Sequence, residues 1–328
     1  MTTPWVRVVV VNYNGGAHLP RVLDGLRRQS DGDFEVVVVD NGSTDGSLDG
    51  LPAFDGRFHI LRAGRNLGFA AGCNLGAQGA KAPWLAMLNP DAVPQPHWLA
   101  KLREAIFNYP AAAAFGSTQL LAENEALLDG AGDNYSIFGI AWRGGYGASA
   151  HLVDGDIAVF SPCAAAALYR RDAFEAVGGF AESFFCYLED VDLGFRLRLA
   201  GHDVVQVAAA RVSHVGSAIA GRYSVFTVYH AARNGVYLMV RCLPLPLLLV
   251  AVPLHLLAQV YLMWRMRALV SVTARAKGVW DGLCALPRLL DERRDVQRGR
   301  RASLRQVASW LVWRPKRLSR RQIVPLSS

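Results

Sequence analysis

Residues 6–16 read VRVVVVNYNGG and residues 34–44 read FEVVVVDNGST. Each stretch contains an unbroken β-branched run, Val8–Val11 and Val36–Val39, that stops at a polar, turn-forming cluster. A strand with one wet face alternates apolar and polar residues. A continuous run instead predicts a strand buried on both faces, as in a parallel sheet covered by helices. Between the two runs, Leu19–Gln29 places Leu19, Val22, Leu23 and Leu26 at helical spacing. The opening unit is therefore strand, helix, strand.

The alternation continues outward. Phe58–Leu61 predicts a short strand, Ala70–Ala80 a helix of small residues, Trp84–Leu88 a strand ending at Asn89-Pro90-Asp91, His97–Asn108 a helix and Ala112–Phe115 a strand. Asn41–Thr44 predicts a turn, with Ser43 or Thr44 placed to cap a following helix. This pattern implies an α/β fold whose central sheet is mostly parallel and flanked by helices. In residues 129–150, six glycines are interleaved with Tyr135, Phe138, Trp142 and Tyr146, which predicts a mobile loop or small hairpin outside the core. Regular structure returns with a strand over Ala164–Tyr169, a helix from Arg171 and a helix over Leu188–Ala200, with Gly201 suited to its C-terminal cap. A strand over Val204–Val207 precedes Val212-Ser213-His214.

The composition is that of a globular chain: 328 residues, 52% hydrophobic and 19% charged, which excludes a disordered protein. Five widely spaced cysteines without a C-x-x-C pair suggest reduced thiols, not a disulfide framework or a zinc site. The N-terminus shows no basic region or cleavage site of a secretory signal. The net charge of +8 is uneven. From Arg265 onward sixteen Lys/Arg face four Asp/Glu, so the rest of the chain is slightly acidic. The basic tail suits an anionic surface such as phospholipid head groups.

In a parallel α/β sheet, ligands bind beyond the carboxyl ends of the strands. Asn12-Tyr13-Asn14, Asp40-Asn41 and Asn89-Pro90-Asp91 all fall there. Each alone reads as a turn; together they mark a site. The turn after the first strand has neither G-x-G-x-x-G nor G-x-x-x-x-G-K-[ST], which argues against a dinucleotide fold and a P-loop. Asp91 suits a divalent cation that takes its other ligands from a diphosphate. A second cluster, Glu189-Asp190-Val191-Asp192, opens a predicted helix. Carboxylates there complement the helix dipole. The apolar, glycine-hinged approach at Gly178–Phe185 also suits one of them to act as a base.

VVVNYNGG at Val9–Gly16, VDNGSTDGS at Val39–Ser47, NLGFAAGCNLGA at Asn66–Ala77 and LNPDA at Leu88–Ala92 resemble family 2 glycosyltransferases. So do the run Arg170–His202, HVGS at His214–Ser217 and Arg233-Asn234. The nearest branch is rhamnosyltransferase-like. The resemblance implies a GT-A fold, with a catalytic domain over 1–240 and an apolar segment and basic helical tail over 241–328. The donor half would lie at about 1–120 and the acceptor half at about 121–240. It implies an inverting transferase that moves a sugar, rhamnose among the candidates, from a nucleoside diphosphate to a hydroxyl of a lipid-linked or polysaccharide acceptor. The donor would be a dTDP- or UDP-sugar and the cation Mg2+ or Mn2+.

The same resemblance assigns the residues. Asp40 would bind the base N3–H, with Asn12 and Tyr13 lining that pocket and Asn66 on the nucleotide side. Asn89 would face the ribose, and Asp91 and His214 the metal. Arg233 would neutralise phosphate. Asp190 would be the general base, with Glu189 and Trp142 on the acceptor side. Asn89 stands where the D-x-D motif has its first acid, so metal ligation rests on Asp91. Ser161-Pro162-Cys163 replaces a small Gly/Ala pair. A sugar-nucleotide pyrophosphorylase would want a basic loop after the first strand, and Asn12–Gly16 has no basic residue. A polybasic membrane adaptor would not need the ordered acidic motifs.

Leu243–Trp264 is long enough to span a bilayer, but Pro244, Pro246 and Pro253 suggest a bent, shallow segment. The expected location is the cytoplasm, attached peripherally or monotopically to the inner face of the plasma membrane, with no nucleic-acid partner.

Overall fold

The computed structural model describes residues 3–49, 51, 55–216, 223–268 and 271–326. The strands are β1 Val6–Asn12, β2 Phe34–Asp40, β3 Phe58–Arg62, β4 Trp84–Leu88, β5 Ala92–Pro94, β6 Ala112–Leu121, β7 Asn124–Gly130, β8 Asp133–Tyr135, β9 Ala141–Arg143, β10 Ile157–Ala158, β11 Ala166–Arg170 and β12 Asp203–His214. The main sheet runs β10-β12-β6-β11-β4-β1-β2-β3, with β5 on β12 and β7 on β6. β3, β2, β1 and β4 are mutually parallel, as the sequence predicts. Past β4 the sheet is mixed. β11 runs antiparallel to both β4 and β6, and β12 returns parallel to β6.

The valine runs explain the layering. Val8 and Val10 of β1, with Val36 and Val38 of β2, enter one core. Val9, Val11, Val37 and Val39 enter the other. Side chains alternate across a strand, so a run with no polar gap feeds both faces at once. The first core is closed by helices α1 (His18–Arg27), through Leu19, Val22, Leu23 and Leu26, and α3 (Trp98–Asn108), through fully buried Trp98. Helix α2 (Phe69–Ala77) covers the other face with Ala70, Cys73 and Ala77. Its small residues let it lie close: a Cβ at Gly76 would collide with Val9 and Val39.

No helix forms directly after β2. Ser43 Oγ instead accepts from Asn12 Nδ2 (3.0 Å) and from the Asn14 N–H (3.1 Å), which folds the turn onto β1. Residues 129–150 also depart from expectation. β8 and β9 form the hairpin, but Tyr135 and Ile137 are buried in a third core. The glycines supply turns between buried aromatic residues, so here they mark tight packing, not mobility.

Helices α4 (Arg171–Ala176) and α5 (Glu189–Leu199) precede β12. Beyond it come α6 (Val225–Cys242), α7 (Leu245–Arg265), α8 (Val272–Cys284), α9 (Leu286–Arg298), α10 (Leu304–Trp310) and α11 (Pro315–Ser319). Residues after 241 return to the body. Leu247, Leu289, Val307 and Leu311 share the third core with Phe160, Phe195 and Leu238. α7 is one continuous helix, unlike the bent segment expected. Pro244 is its cap and Pro246 lies in its first turn, where no N–H is needed; only Pro253 is internal. Its polar side faces inward. His255 contacts the Phe138 carbonyl (3.0 Å), and Gln259 accepts from Arg275 (2.9 Å). Leu249, Leu256, Leu257, Val260, Tyr261 and Trp264 are exposed.

Candidate active site

Two adjoining cavities open at the carboxyl ends of β1, β2 and β4. The first, about 590 Å³, is lined by Tyr13, Asn41, Asn66, Asn89, Asp91 and His214 among others. The second, about 290 Å³, is lined by Asp133, Trp142, Cys163, Glu189 and Asp190 among others. Phe69, Asn89, Arg143, Cys186 and Tyr187 border both. Residues far apart in the chain thus form one bipartite cleft.

On the first side, β5 pairs antiparallel with β12 in the register Ala92↔His214, which brings Asp91 against the histidine. His214 Nδ1 lies 2.7 Å from Asp129 Oδ2, and Nε2 lies 3.3 Å from Asp91 Oδ1 without hydrogen-bond geometry. A carboxylate on one ring nitrogen fixes the tautomer and leaves the other nitrogen's lone pair free for a ligand. Burial disfavours the imidazolium, but the Asp129 and Asp91 contacts outweigh it and raise the His214 pKa. Burial pushes the Asp91 carboxyl up, yet His214 more than offsets this, so its pKa is lowered. An anionic carboxylate beside an imidazole nitrogen held by a second carboxylate is a donor set that fits a divalent cation.

Some predicted residues stand behind the cavity wall. Asn12 is fully buried, and its amide donates to Ser43 Oγ and Ser47 Oγ (2.9 Å). Asp40 accepts the Ser43 N–H (3.0 Å) and lies 3.5 Å from Arg62. Neither is among the residues lining the cavity; Tyr13 and Asn41 are. Asn66 lines it and accepts from Asn41 Nδ2 (3.0 Å) and the Gly68 N–H (2.9 Å).

Arg233 does not fit the phosphate role. Its guanidinium donates to the carbonyls of Ser183 (3.3 Å) and Phe184 (2.8 Å), and it does not line either cavity. Asn234 donates to the carbonyls of Phe184, Cys186 and Tyr187 (3.0, 2.9 and 2.7 Å). The clamped loop is strained: Phe185, Tyr187 and Leu188 have φ of 64°, 73° and 66°. Each such residue costs about 1–3 kcal/mol and persists only where its surroundings hold it. Gly68 completes the grip, since a Cβ there would come within 2.5 Å of the Phe185 carbonyl. The Arg233-Asn234 pair therefore shapes the loop that presents Glu189 and Asp190. Among the described residues, the cation bordering both cavities is Arg143, ion-paired with Asp129.

On the second side, Asp190 Oδ2 accepts the Ala164 N–H (3.0 Å) and Oδ1 the Val191 N–H (2.8 Å). Burial raises its pKa against the opposing pull of those N–H groups and Arg143. Glu189 is buried, with no hydrogen-bond partner for Oε2 among the described residues, and burial, then the Asp190 charge, pushes its carboxyl well up. Trp142 borders this cavity and donates Nε1 to the Gln322 carbonyl (3.1 Å). The motifs do not point to Asp129, Asp133 or Arg143, because the glycine-rich segment that carries them has the composition of a loop. Ser217, the last residue of the HVGS match, lies outside the described residues.

The family model for glycosyl transferase family 2 matches residues 7–178, just over half of the chain. The chain belongs to glycosyl transferase family 2. It is 31% identical over 239 residues to an N-acetylglucosaminyl-diphospho-decaprenol L-rhamnosyltransferase of Mycobacterium tuberculosis, covering 66% of this chain and 77% of that protein. The fold of this glycosyltransferase is similar to that of GalNAc-T7, solved with UDP, GalNAc and Mn2+: TM-score 0.57, 17% identity, 71% of this chain and 47% of that one. It is also similar to a mannosyltransferase from Pyrobaculum calidifontis in complex with GDP-Man and Mn2+: TM-score 0.52, 17% identity, 91% of this chain and 86% of that one. The enzyme thus has the GT-A fold expected from its motifs.

Proposed function

We propose that this glycosyltransferase moves a sugar, rhamnose in the first instance, from a nucleoside diphosphate to a lipid-linked N-acetylglucosaminyl diphosphate, with inversion. The observation that carries this reading is the placement of Asp190, whose carboxylate borders the second cavity where it joins the first at Asn89 and Arg143. The donor lies in the first cavity and the acceptor hydroxyl enters the second. Asp190 takes the hydroxyl proton as the oxygen attacks the anomeric carbon and the nucleoside diphosphate departs. Its raised pKa increases its basicity. The N–H donors of Ala164 and Val191 hold its orientation.

Asp91 and His214 would hold Mg2+ or Mn2+, which when bound neutralises charge on the departing diphosphate. Arg143 offers a further positive charge at the junction. Tyr13 and Asn66 face the nucleotide, and Asp40 and Asn12 hold the turn beneath it. Trp142 and Glu189 bound the acceptor. The identity with a transferase whose name specifies a decaprenol-linked acceptor supports the lipid-linked substrate.

We read residues 1–240 as the catalytic part and 241–328 as the membrane-facing part, seated on the inner leaflet. The exposed apolar side of α7 supports this, since Leu249, Leu256, Leu257, Val260, Tyr261 and Trp264 are left uncovered by the rest of the fold. His255 links α7 to Phe138, in the hairpin that carries Trp142 and Arg143, so the membrane side adjoins the acceptor side.

The test is Asp190→Asn. It preserves shape and removes basicity. Transfer should fall about 100- to 10,000-fold while donor affinity, measured by calorimetry, stays within threefold. In wild type the acid limb of the rate profile should lie above 3.8, the ordinary Asp value, because the base works only when deprotonated. Near-normal turnover in the variant would refute the base assignment.

A further inference from the structure

Asp133 is the first residue of β8 and borders the second cavity. It is 6% exposed. Its backbone pairs with Ser161 in both directions (2.8 and 3.3 Å), and Ser161 Oγ donates to the Asp190 carbonyl (2.9 Å). One serine therefore ties Asp133 to the residue proposed as base. Among the described residues no hydrogen bond reaches the Asp133 carboxylate, and Arg143, ion-paired with Asp129, acts on it through its charge alone. One of its oxygens, one of Asp190 and Cys163 Sγ lie within 4.8 Å of one another.

A carboxylate on a cavity wall that takes no hydrogen bond from the fold is free to take one from a ligand in that cavity. Two neighbouring ring hydroxyls of a sugar sit roughly one hydrogen-bond length apart, and each donates over about 2.7 Å. Two carboxylate oxygens within 4.8 Å of each other can each take one hydroxyl of such a pair. A cation held by Asp133, Asp190 and Cys163 would instead consume the base and need a thiolate, and burial raises the Cys163 pKa strongly.

We propose that Asp133 accepts a hydrogen bond from the hydroxyl next to the attacking one, so that Asp133 and Asp190 together select an acceptor sugar with a free vicinal diol. This rests on the reading of Asp190 as base and of N-acetylglucosamine as acceptor. N-acetylglucosamine linked through its anomeric carbon has one such diol, at its 3- and 4-positions. The attacking hydroxyl is then one of these two, and Asp133 holds the other.

The probes are a short-chain prenyl diphosphate carrying N-acetylglucosamine and its 3-deoxy and 4-deoxy forms. On wild type, one deoxy form should give no transfer because its nucleophile is missing. The other should lose about 10- to 100-fold in kcat/KM, the range for a lost hydrogen bond to a charged group. In Asp133→Ala the parent acceptor should lose a similar factor, the second deoxy form should suffer no further loss, and the donor KM should hold. Asp133→Asn should behave likewise with a smaller deficit. Both variants should melt at or above the wild-type temperature, because a buried carboxyl without a hydrogen-bond partner is gone and burial and the Asp190 charge already disfavour its ionised form; a structural residue would move the melting point down. A deoxy penalty as large in Asp133→Ala as in wild type, or a lowered melting point with weakened donor binding, would overturn the assignment. Failure of wild type to use the parent acceptor would instead overturn the acceptor reading, and with it the diol named here.

Discussion

Replacing Asp192 by Asn should unfold the enzyme early without touching its chemistry. Asp192 is two residues from Asp190 in the same acidic cluster, yet it is fully buried and faces the opposite way. It bonds Arg196 Nε at 2.6 Å and Arg241 Nε at 3.0 Å. Arg196 also donates to the carbonyls of Val177 (2.5 Å) and Gly179 (2.7 Å), and Arg241 reaches Glu292 of α9. The carboxylate thus staples α5 to α6 and α9. Burial alone would raise its pKa, but Arg196 and Arg241 outweigh burial and lower it. Removing one partner of a buried ion pair costs about 3–5 kcal/mol, because the other charges stay buried. At about 2 °C per kcal/mol for a chain of this length, the melting point should drop roughly 6–10 °C. The folded pKa is depressed, so this stability is present above the unfolded carboxylate pKa and is lost as pH falls through the folded value. The gap between variant and wild type should therefore close only below pH 3.8. The assay is thermal melting by circular dichroism across pH, paired with transfer rates well below the melting point. Salt at 0.5 M (roughly a 4 Å screening length) should leave the gap largely intact. An unchanged melting point, or lost activity with normal melting, would refute the structural role and place Asp192 with the base.

Three further outcomes follow from the geometry. Asp91→Ala should weaken donor and Mn2+ binding together, about 10-fold or more each, as read by calorimetry with and without EDTA; full activity in EDTA would give Asp91 another role. Asp40→Ala should raise the donor KM more than it lowers kcat, since the turn it holds lies beneath the nucleotide and far from the reacting carbon, and a pure loss of kcat would contradict this. In sealed inverted vesicles, both the catalytic part and a C-terminal tag should be digested by protease, and high salt should release the enzyme only partly; a protected tag would show that α7 crosses the bilayer.

What the residues determine unaided is local. Val8–Val11 and Val36–Val39 establish two doubly buried strands, because period-two geometry sends an unbroken run into both cores. The polar clusters Asn12–Asn14, Asp40-Asn41 and Asn89–Asp91 then fall at strand ends whatever the later topology, which is why the site's location is legible. The tertiary structure alone decides what pairs across distance. Asp129 meets His214 across 85 positions, and Asp133 comes close to Asp190 because Ser161 bridges them. Neither contact leaves a periodic trace, and the glycines between the buried aromatic residues of that segment give it the composition of a surface loop. Arg233 shows the same limit in reverse. Its motif is legible, but only the fold shows that its guanidinium is taken by the Ser183 and Phe184 carbonyls. The antiparallel insertion of β11 into the sheet is likewise invisible in the strand itself. Ala166–Arg170 reads as buried in either direction, and strand direction is set by the neighbours it hydrogen-bonds, β4 and β6.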